Sequence, residues 1–370
     1  MTDLLYSDVE DELRRSVRSV LRDQAPWGEV LAGTEKDEAW DAGLWRTLAV
    51  DLGCAGLAVP EELGGAGASF REAAVVLEEL GRAVAPVPYL GSAVLATAAL
   101  LECGDNELLT RLAEGRARAA LAVPFSTFPG APLPATVRAE AADGGGGTGG
   151  AARLTGTVGN VADGLAADVL LVPAGDDLYA VDAADLRRTA VTSLDMTRRL
   201  CDVTLSSAPA RRVATGEQAR RAVAAALSAG AALLASEQLG LAEQCLETTV
   251  GYLKTRHQFG RPVGSFQGLK HRLADLWAAI SQARAVARYA AGCVADGDPD
   301  TDVAVAVAQA HCSAVAVRAA EECVQLHGGI GFTWEHPAHL YLKRAKSASI
   351  ALGTPDRHRA ALAGLVDLRL

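Results

Sequence analysis

Two stretches carry the residues best suited to chemistry. The first is Lys254-Thr-Arg-His-Gln-Phe-Gly-Arg-Pro-Val-Gly-Ser-Phe-Gln-Gly-Leu-Lys-His271. It ends a long apolar segment with an arginine, turns through Gly-Arg-Pro-Val-Gly, and opens a second segment near Gln267. An arginine held at a helix end can present its guanidinium fork to a pyrophosphate. Gln267 offers both a donor and an acceptor to a polar heterocycle or phosphate. Taken alone, Arg256 reads as a cation stabilising a helix C-terminus. The second stretch is Gln325-Leu-His-Gly-Gly-Ile-Gly-Phe-Thr-Trp-Glu-His-Pro337. Its adjacent glycines let a backbone approach a ligand closely, or simply stop a helix. His-Gly-Gly-Ile-Gly also resembles a hydrolase oxyanion loop, but the chain has no GxSxG elbow, which excludes that chemistry. His336 and His339 are a weak metal pair without HExxH spacing. Lys343, Arg344 and Lys346 could draw phosphates, although a solvated helix face is the plainer reading.

Long helices must hold these stretches. Gly216 to Thr255 reads as one uninterrupted helix, ~60 Å long at ~1.5 Å per residue. Phe266 to Ala295 and Asp302 to Leu326 read as two more, the latter with Thr301 or Asp300 as N-cap and Gly328-Gly329 as its stop. Pro337 and Pro355 stand where a fourth and a fifth helix begin. Such Ala-rich helices joined by short turns predict an antiparallel four-helix bundle. The N-terminal third is helical too. Val9, Leu13, Val17, Val20 and Leu21 form one apolar face over Asp8 to Leu21, and Trp40, Leu44, Trp45 and Leu48 form another over Glu38 to Leu52. Phe70 to Arg82 follows, ended by Pro86 and Pro88, then Ser92 to Leu101 and Asn106 to Gly115. Between the helical parts lie short runs punctuated by Gly, Pro and Asp, which predict strands. They are Ala119 to Val123, Ala151 to Val158, Val169 to Val172, Asp177 to Val181, Thr189 to Thr192 and Asp202 to Leu205. The run DGGGGTGG at 143–150 reads as a solvated hairpin loop. The expected fold is mostly α with a middle β domain: a helical domain over 1–117, a β domain over 118–212 and a helical bundle over 213–370.

Composition sets outer bounds. The chain has 370 residues, more than one compact core usually fills. Its formal charge of −10 excludes nucleic acid or an anionic membrane as the main partner. Seven cysteines, without a CxxC pair, read as buried free thiols in a reducing compartment. The acidic N-terminus lacks a signal-like apolar core, and the apolar run Ala222 to Ala235 is shorter than the ~20 residues a bilayer requires. A cytoplasmic location is expected.

The two stretches together resemble the acyl-CoA dehydrogenases. That family shows an R-x-x-F-G-x-x-[IVL]-x-x-x-Q segment and, about 60 residues on, Q-x-x-G-G-x-G-[FY]. Here stand Arg256, Phe259, Gly260, Val263 and Gln267, then Gln325, Gly328, Gly329, Gly331 and Phe332. Pro60-Glu-Glu-Leu-Gly-Gly-Ala-Gly67 matches the N-lobe loop, and Leu154 to Val158 with Ala167-Asp168 matches the β-lobe strands. The resemblance implies an N-terminal helical domain, a barrel-like β domain and a four-helix bundle, with FAD lying between subunits. It assigns the grip on the pyrophosphate and adenosine to Arg256, Gln258, Phe259, Gln267, Gln325, Gly328 and Gly329. Thr354 stands where a threonine contacts the flavin, followed by Pro355-Asp356 in place of the usual Ser-Gln.

The family reaction also needs a carboxylate to take a proton beside the thioester. The resemblance places it in a Tyr-Glu-Gly-Thr turn, which reads Ala351-Leu-Gly-Thr354 here, so Leu352 occupies the position. The alternative position, on the long bundle helix, falls near Gly230, and no acid occurs from Gln218 to Ser236. Glu237, Glu243 and Glu247 are expected on solvated or intersubunit faces. A third departure is Pro124-Phe-Ser-Thr-Phe-Pro-Gly130, where active members carry a Thr-Glu-Pro segment against the flavin ring. No catalytic residue is therefore assigned. The expectation is a non-catalytic subunit of an α2β2 heterotetramer that completes the FAD site of a homologous subunit. The acyl-CoA would sit in that partner's pocket, with electron-transfer flavoprotein as acceptor. Alternatives are a homotetramer using Glu237 or Glu335 as base, or a flavin oxygenase or binding protein on the same fold.

Overall fold

The computed structural model describes residues 4–37, 40–133, 135–141 and 150–368. The glycine-rich run at 143–150 therefore lies outside it except for Gly150. The N-terminal part comprises α1 (Asp8–Gln24), α2 (Trp27–Thr34), α3 (Ala42–Arg46), α4 (Phe70–Ala83), α5 (Thr97–Cys103) and α6 (Asn106–Ala113). Capping boxes start α1 and α4: the Ser7 and Ser69 hydroxyls accept from helix N–H groups, and Glu10 and Glu72 reach back. Two segments wind wider than an α-helix, Thr47–Asp51 after α3 and Leu90–Ala96 before α5. The helix expected over Glu38 to Leu52 is thus a short α-helix continued by a wide turn. No expectation covered α2.

The sheet comprises β1 (Ala119–Leu121), β2 (Val137–Ala141), β3 (Ala151–Ala162), β4 (Val169–Ala174), β5 (Asp177–Asp182), β6 (Arg187–Val191) and β7 (Leu200–Ala214), in the order β1-β4-β5-β7-β3-β2 with β6 also on β7. Among the described strands, only the β1–β4 pair runs parallel. β7 pairs with β3 along one edge and successively with β6 and β5 along the other. Bulges at Leu154/Gly156 and Val158/Val161 bend β3. The sequence pattern caught four residues of β7, Asp202 to Leu205, out of 15.

The bundle comprises α7 (Gly216–Thr255), the two-residue strands β8 (His257–Gln258) and β9 (Arg261–Pro262), α8 (Gln267–Asp296), α9 (Thr301–His327), α10 (Ala338–Ala348) and α11 (Pro355–Leu365). α7 and the stretch Thr301–Phe332 are long and apolar enough to cross a membrane, but most of each apolar window is buried inside the fold. They are core helices, made apolar all round by their neighbours. Two glycines set how α4 meets α7. A Cβ on Gly240 would lie 1.8 Å from Glu78 O, and one on Gly81 would lie 2.1 Å from Glu237 O. The two helices cross backbone against backbone, which brings Glu237 into the centre of the molecule.

Candidate functional site

The ends of α7 and α9 and the start of α8 lie on one side of the bundle. Arg272 pairs with Glu322 at 2.7 Å, and the Tyr252 and His327 rings approach to 4.5 Å. Arg256 closes α7. Its N–H donates to Tyr252 O at 2.9 Å and its carbonyl accepts from Val263 N–H at 2.8 Å. The backbone is thus fixed while the side chain is exposed and, among the described residues, has no partner. β8 and β9 form a hairpin through Phe259 (φ 54°) and Gly260 (φ 74°). Both residues are left-handed, as a type I′ turn requires. Phenylalanine pays about 1–2 kcal/mol for that conformation, yet its ring is 90% exposed. Gln258 donates to His257 O at 2.9 Å. Gln267 opens α8, exposed, with its amide nitrogen 3.4 Å from His271 Nε2.

Gln325 is exposed in the last turn of α9. Gly328 follows the helix at φ 61°, ψ −138°, a conformation that L side chains rarely adopt. A Cβ built on Gly328 or Gly329 meets nothing within 4 Å, so this backbone faces open space. An unpaired guanidinium, exposed amides and a bare Gly-Gly backbone suit the diphosphate-adenosine end of a dinucleotide. Seven of the eight expected cofactor residues therefore share one end of the bundle. Thr354 stands elsewhere, as N-cap of α11, its Oγ1 accepting from Arg357 N–H at 3.3 Å. Pro355 at the first helical position explains the departure from Ser-Gln in local terms. Large apolar side chains are also exposed on these elements: Phe332 is 74% exposed and Trp334 59% after α9, and Trp277 62% on α8.

The turn expected to carry the proton acceptor is closed by hydrocarbon. Leu352 is buried, in the left-handed region at φ 53°. Its N–H donates to Phe125 O at 2.7 Å and its carbonyl accepts from His358 Nε2 at 3.0 Å. A Cβ on Gly230 would come within 2.4 Å of Leu95 Cδ2 and 3.1 Å of Leu352 Cδ1, so any side chain there would have to displace these two leucines. Phe128, from the segment expected beside the flavin ring, lies over the same turn. It packs on His358 at 4.8 Å between ring centroids, and a Cβ on Gly353 would meet it at 2.5 Å. The two segments that the resemblance puts around the reacting atoms close on each other. A cleft of about 370 Å³ remains beside them, walled on one side by the first segment through Phe128 and lined also by Ser228, Asp302, Val305, His358 and Leu365.

Glu237 corrects the expectation of a solvated or intersubunit face. It is fully buried, accepting from Arg344 Nε at 2.9 Å and from both terminal nitrogens of Arg198. Arg344 also donates to Asp195 Oδ2 at 3.1 Å and Thr197 Oγ1 at 3.0 Å. Burial alone would raise the Glu237 carboxyl, but the Arg198 and Arg344 guanidiniums hold it below its ordinary value. A carboxylate held in its ionised form by two cations is a poor proton acceptor. Arg344 likewise leaves the solvated face it was expected to share, because α10 turns it inward onto this cluster. Glu243 is also internal, bonded to Arg82 at 3.1 Å and Arg284 at 2.6 Å. Glu247 is solvated as expected, paired with Arg82. Glu335 is exposed before α10; the 11 residues of that helix span ~16 Å before the turn at Leu352. The Asp195–Arg198 part of the cluster went unread because nothing in its spacing ties a β-domain loop to a bundle helix.

Comparison with known proteins agrees with this architecture. A family model described as "Acyl-CoA dehydrogenase, N-terminal domain" matches residues 7–118, and one described as "Acyl-CoA dehydrogenase, C-terminal domain" matches residues 220–365. Acyl-CoA dehydrogenase IpdE2 of Mycolicibacterium smegmatis is 37% identical over 350 residues, covering 94% of this chain and 96% of that protein. A chain of the ChsE4-ChsE5 complex from Mycobacterium tuberculosis is 30% identical with a TM-score of 0.85, each chain covered to 100%. A chain of a variant of the Tcur3481-Tcur3483 steroid ACAD is 32% identical with a TM-score of 0.84, covering 97% of this chain and 98% of that one.

Proposed function

Because the chain belongs to the acyl-CoA dehydrogenase family, whose members are FAD-dependent oxidoreductases, we propose that it is the subunit that completes the partner's flavin site and carries out no dehydrogenation alone. The observation that carries this reading is the turn at Leu352. A leucine fills the acid position, a side chain at Gly230 would have to displace Leu95, and Phe128 packs against the turn, which Phe125 O holds. Loss of a general base removes roughly 10²–10⁴ in rate, and a filled pocket also removes substrate positioning. The dinucleotide end is intact by contrast. When bound, FAD supplies the acceptor for the hydride. Arg256 would neutralise its diphosphate, Gln258, Gln267 and Gln325 would bond its polar edges, Gly328-Gly329 would let it lie against bare backbone, and Phe259 would cover it. Thr354 would add at most a hydroxyl from the α11 cap.

The strained, exposed Phe259 supports an assembly in which another chain covers this face. The exposed Phe332, Trp334 and Trp277 would supply apolar area to such a contact. A homologous subunit in an α2β2 arrangement fits, since relatives of this chain occur in a two-component complex. The bound thioester would occupy the partner's pocket, and the steroid acyl-CoA class is the proposed substrate because one such relative is a steroid ACAD. Electron-transfer flavoprotein would accept the electrons, in the cytoplasm. Co-expression with the homologous subunit, followed by native mass and flavin count, tests this. The pair should carry flavin and turn over acyl-CoA while this chain alone does neither. Stoichiometric FAD and dehydrogenase activity in the isolated chain would overturn the reading.

A further inference from the structure

The turn that joins α9 to α10, residues 328–337, is held by aromatic rings. Its hydrogen bonds are local: Thr333 N–H and Oγ1 both donate to Ile330 O, and Glu335 N–H donates to Thr333 Oγ1. A stack of three rings reaches across to α7. Tyr252 on α7, His327 at the end of α9 and His336 in the turn follow one another with centroids 4.5 and 4.1 Å apart. Trp334 meets His339 of α10 edge-on at 4.5 Å, and Lys343 Nζ lies 4.5 Å from the same indole. Hydrogen bonds fix two of the imidazole tautomers. His327 Nδ1 lies 2.6 Å from Cys323 O, so that nitrogen carries a proton. His336 Nδ1 accepts from Ala338 N–H at 3.2 Å, so that nitrogen carries none. Ala338 is the first residue of α10, and Pro337 before it supplies no side-chain cap. His336 therefore does for α10 what a serine or aspartate does at other helix starts, with an acceptor that titrates near neutrality. His327 Nε2 and both His339 nitrogens are buried without a hydrogen-bond partner, so the closed turn leaves polar atoms unsatisfied that water would satisfy on opening.

We propose that the α9–α10 turn is an acid-released latch: neutral His336 caps α10 and holds the turn against the ring stack, and its protonation frees the Gly328-Gly329 backbone together with the exposed Phe332 and Trp334. A proton on His336 Nδ1 acts in three ways. It replaces the acceptor that Ala338 N–H needs with a donor. It puts a positive charge at the N-terminus of α10, where the helix dipole opposes it. It also puts that charge against the His327 ring, which charges first because its bonds to Cys323 hold it above its ordinary value against burial. Among the groups facing the stack, Cys323 on α9 favours the charge. Against it, α7 presents only the Tyr252 ring, α10 presents the basic His339 and Lys343, and Glu335 in the turn is exposed and makes no ion pair with His336 among the described residues. Burial, and then the His327 charge, hold the His336 imidazole below its ordinary value. Its stabilisation of the closed turn is complete above the unfolded value of about 6.5 and is lost as pH falls through the lower folded value. The body of α10 stays anchored, by Arg344 on Glu237 at 2.9 Å and by Tyr341 OH donating to Arg82 O at 2.9 Å, which confines the release to the turn. The release rests on the turn's own geometry, and its consequence for flavin retention rests on the reading proposed above.

Amide hydrogen exchange of the purified chain at about pH 7.5 and about pH 5.5, corrected for the intrinsic pH dependence of exchange, tests it. Protection over residues 331–342 should fall about twofold to thirtyfold at the lower pH, the fold equivalent of a lost helix cap, while protection in the middle of α7 is unchanged. His336→Asn keeps an acceptor in the place of Nδ1 but cannot titrate, and should retain protection at both pH values. His336→Ala should lose it at both. Equal protection of the turn in the wild-type chain at the two pH values, or a transition that persists in His336→Asn, would overturn the latch. The wild-type comparison decides even where a variant folds poorly. The acidified assembly with the homologous subunit should shed flavin as well. A turn that opens while flavin stays bound supports the latch and counts against the assignment of this end of the bundle to the dinucleotide.

Discussion

Glu237→Gln separates a structural carboxylate from a catalytic one. Glu237 sits 1% exposed between Arg344, also 1% exposed, and Arg198, 5% exposed. Both of its oxygens accept from guanidinium N–H groups. Glutamine keeps the volume but removes the charge and turns an N–H₂ toward a guanidinium. Removing one partner of a buried ion pair costs about 3–5 kcal/mol. At about 2.1 cal/mol/K of unfolding entropy per residue, a chain of 370 residues has about 0.8 kcal/mol/K, so the melting midpoint should fall by about 4–6 °C. Acid should reveal the same group. The folded Glu237 carboxyl titrates below its unfolded value of about 4.3, so its stabilisation is complete above that value. It is lost as pH falls through the lower folded value. Glu237→Gln should flatten that part of the acid limb. Scanning calorimetry and turnover of the reconstituted assembly measure both sides: the midpoint drops while turnover stays within about threefold, against the ~10²-fold or greater loss expected for a base. A variant that melts with the parent but loses a hundredfold in turnover would refute the clamp and make Glu237 the base.

Arg256→Gln in the assembly should weaken flavin retention about tenfold to a hundredfold, the value of charge-assisted hydrogen bonds at about 1.5–3 kcal/mol, read by flavin fluorescence after gel filtration, with the melting midpoint of the isolated chain unmoved. Leu352→Glu should not install dehydrogenase activity, because Leu95, Phe125 and Phe128 still close the turn; it should instead destabilise by placing an unpaired carboxyl in a dry site, visible as a lower unfolding midpoint. Phe332→Asp should shift native mass away from the assembled species while leaving the stability of the isolated chain within about 0.5 kcal/mol, because the ring is 74% exposed.

The long helices were legible because their pattern is local. Gly216–Thr255 is bounded in the structure as composition alone bounds it, and Pro355 begins α11 as its fixed φ suggests. The spacing of Arg256, Gln267, Gln325 and Gly328 was legible because each stands at a helix terminus, where chain direction fixes position. Elements that depend on distant partners were not. β2 carries Val137 as its only buried residue, too little alternation to mark a strand without β3 beside it. The buried fate of Glu237 follows from Gly81 and Gly240 letting α4 and α7 touch, a pairing no periodicity encodes.

The two ends of the candidate site obey opposite physics. At Leu352 both backbone polar groups are met internally, the N–H by Phe125 O and the carbonyl by His358 Nε2, and the side chain is buried. Such a site loses nothing when the chain stands alone, and a ligand would have to displace packed apolar surface to enter it. At the end of the bundle that carries Arg256 the balance is reversed. Arg256 has no counter-charge among the described residues, Phe259 holds a strained conformation with its ring in water, and Gly328 and Gly329 leave backbone bare. Each feature is unfavourable or idle in the free chain and becomes favourable only against an anionic, aromatic-bearing ligand and a covering surface. This contrast, one half closed with packed side chains and the other left uncompensated, is what the proposed role as a completing subunit would require.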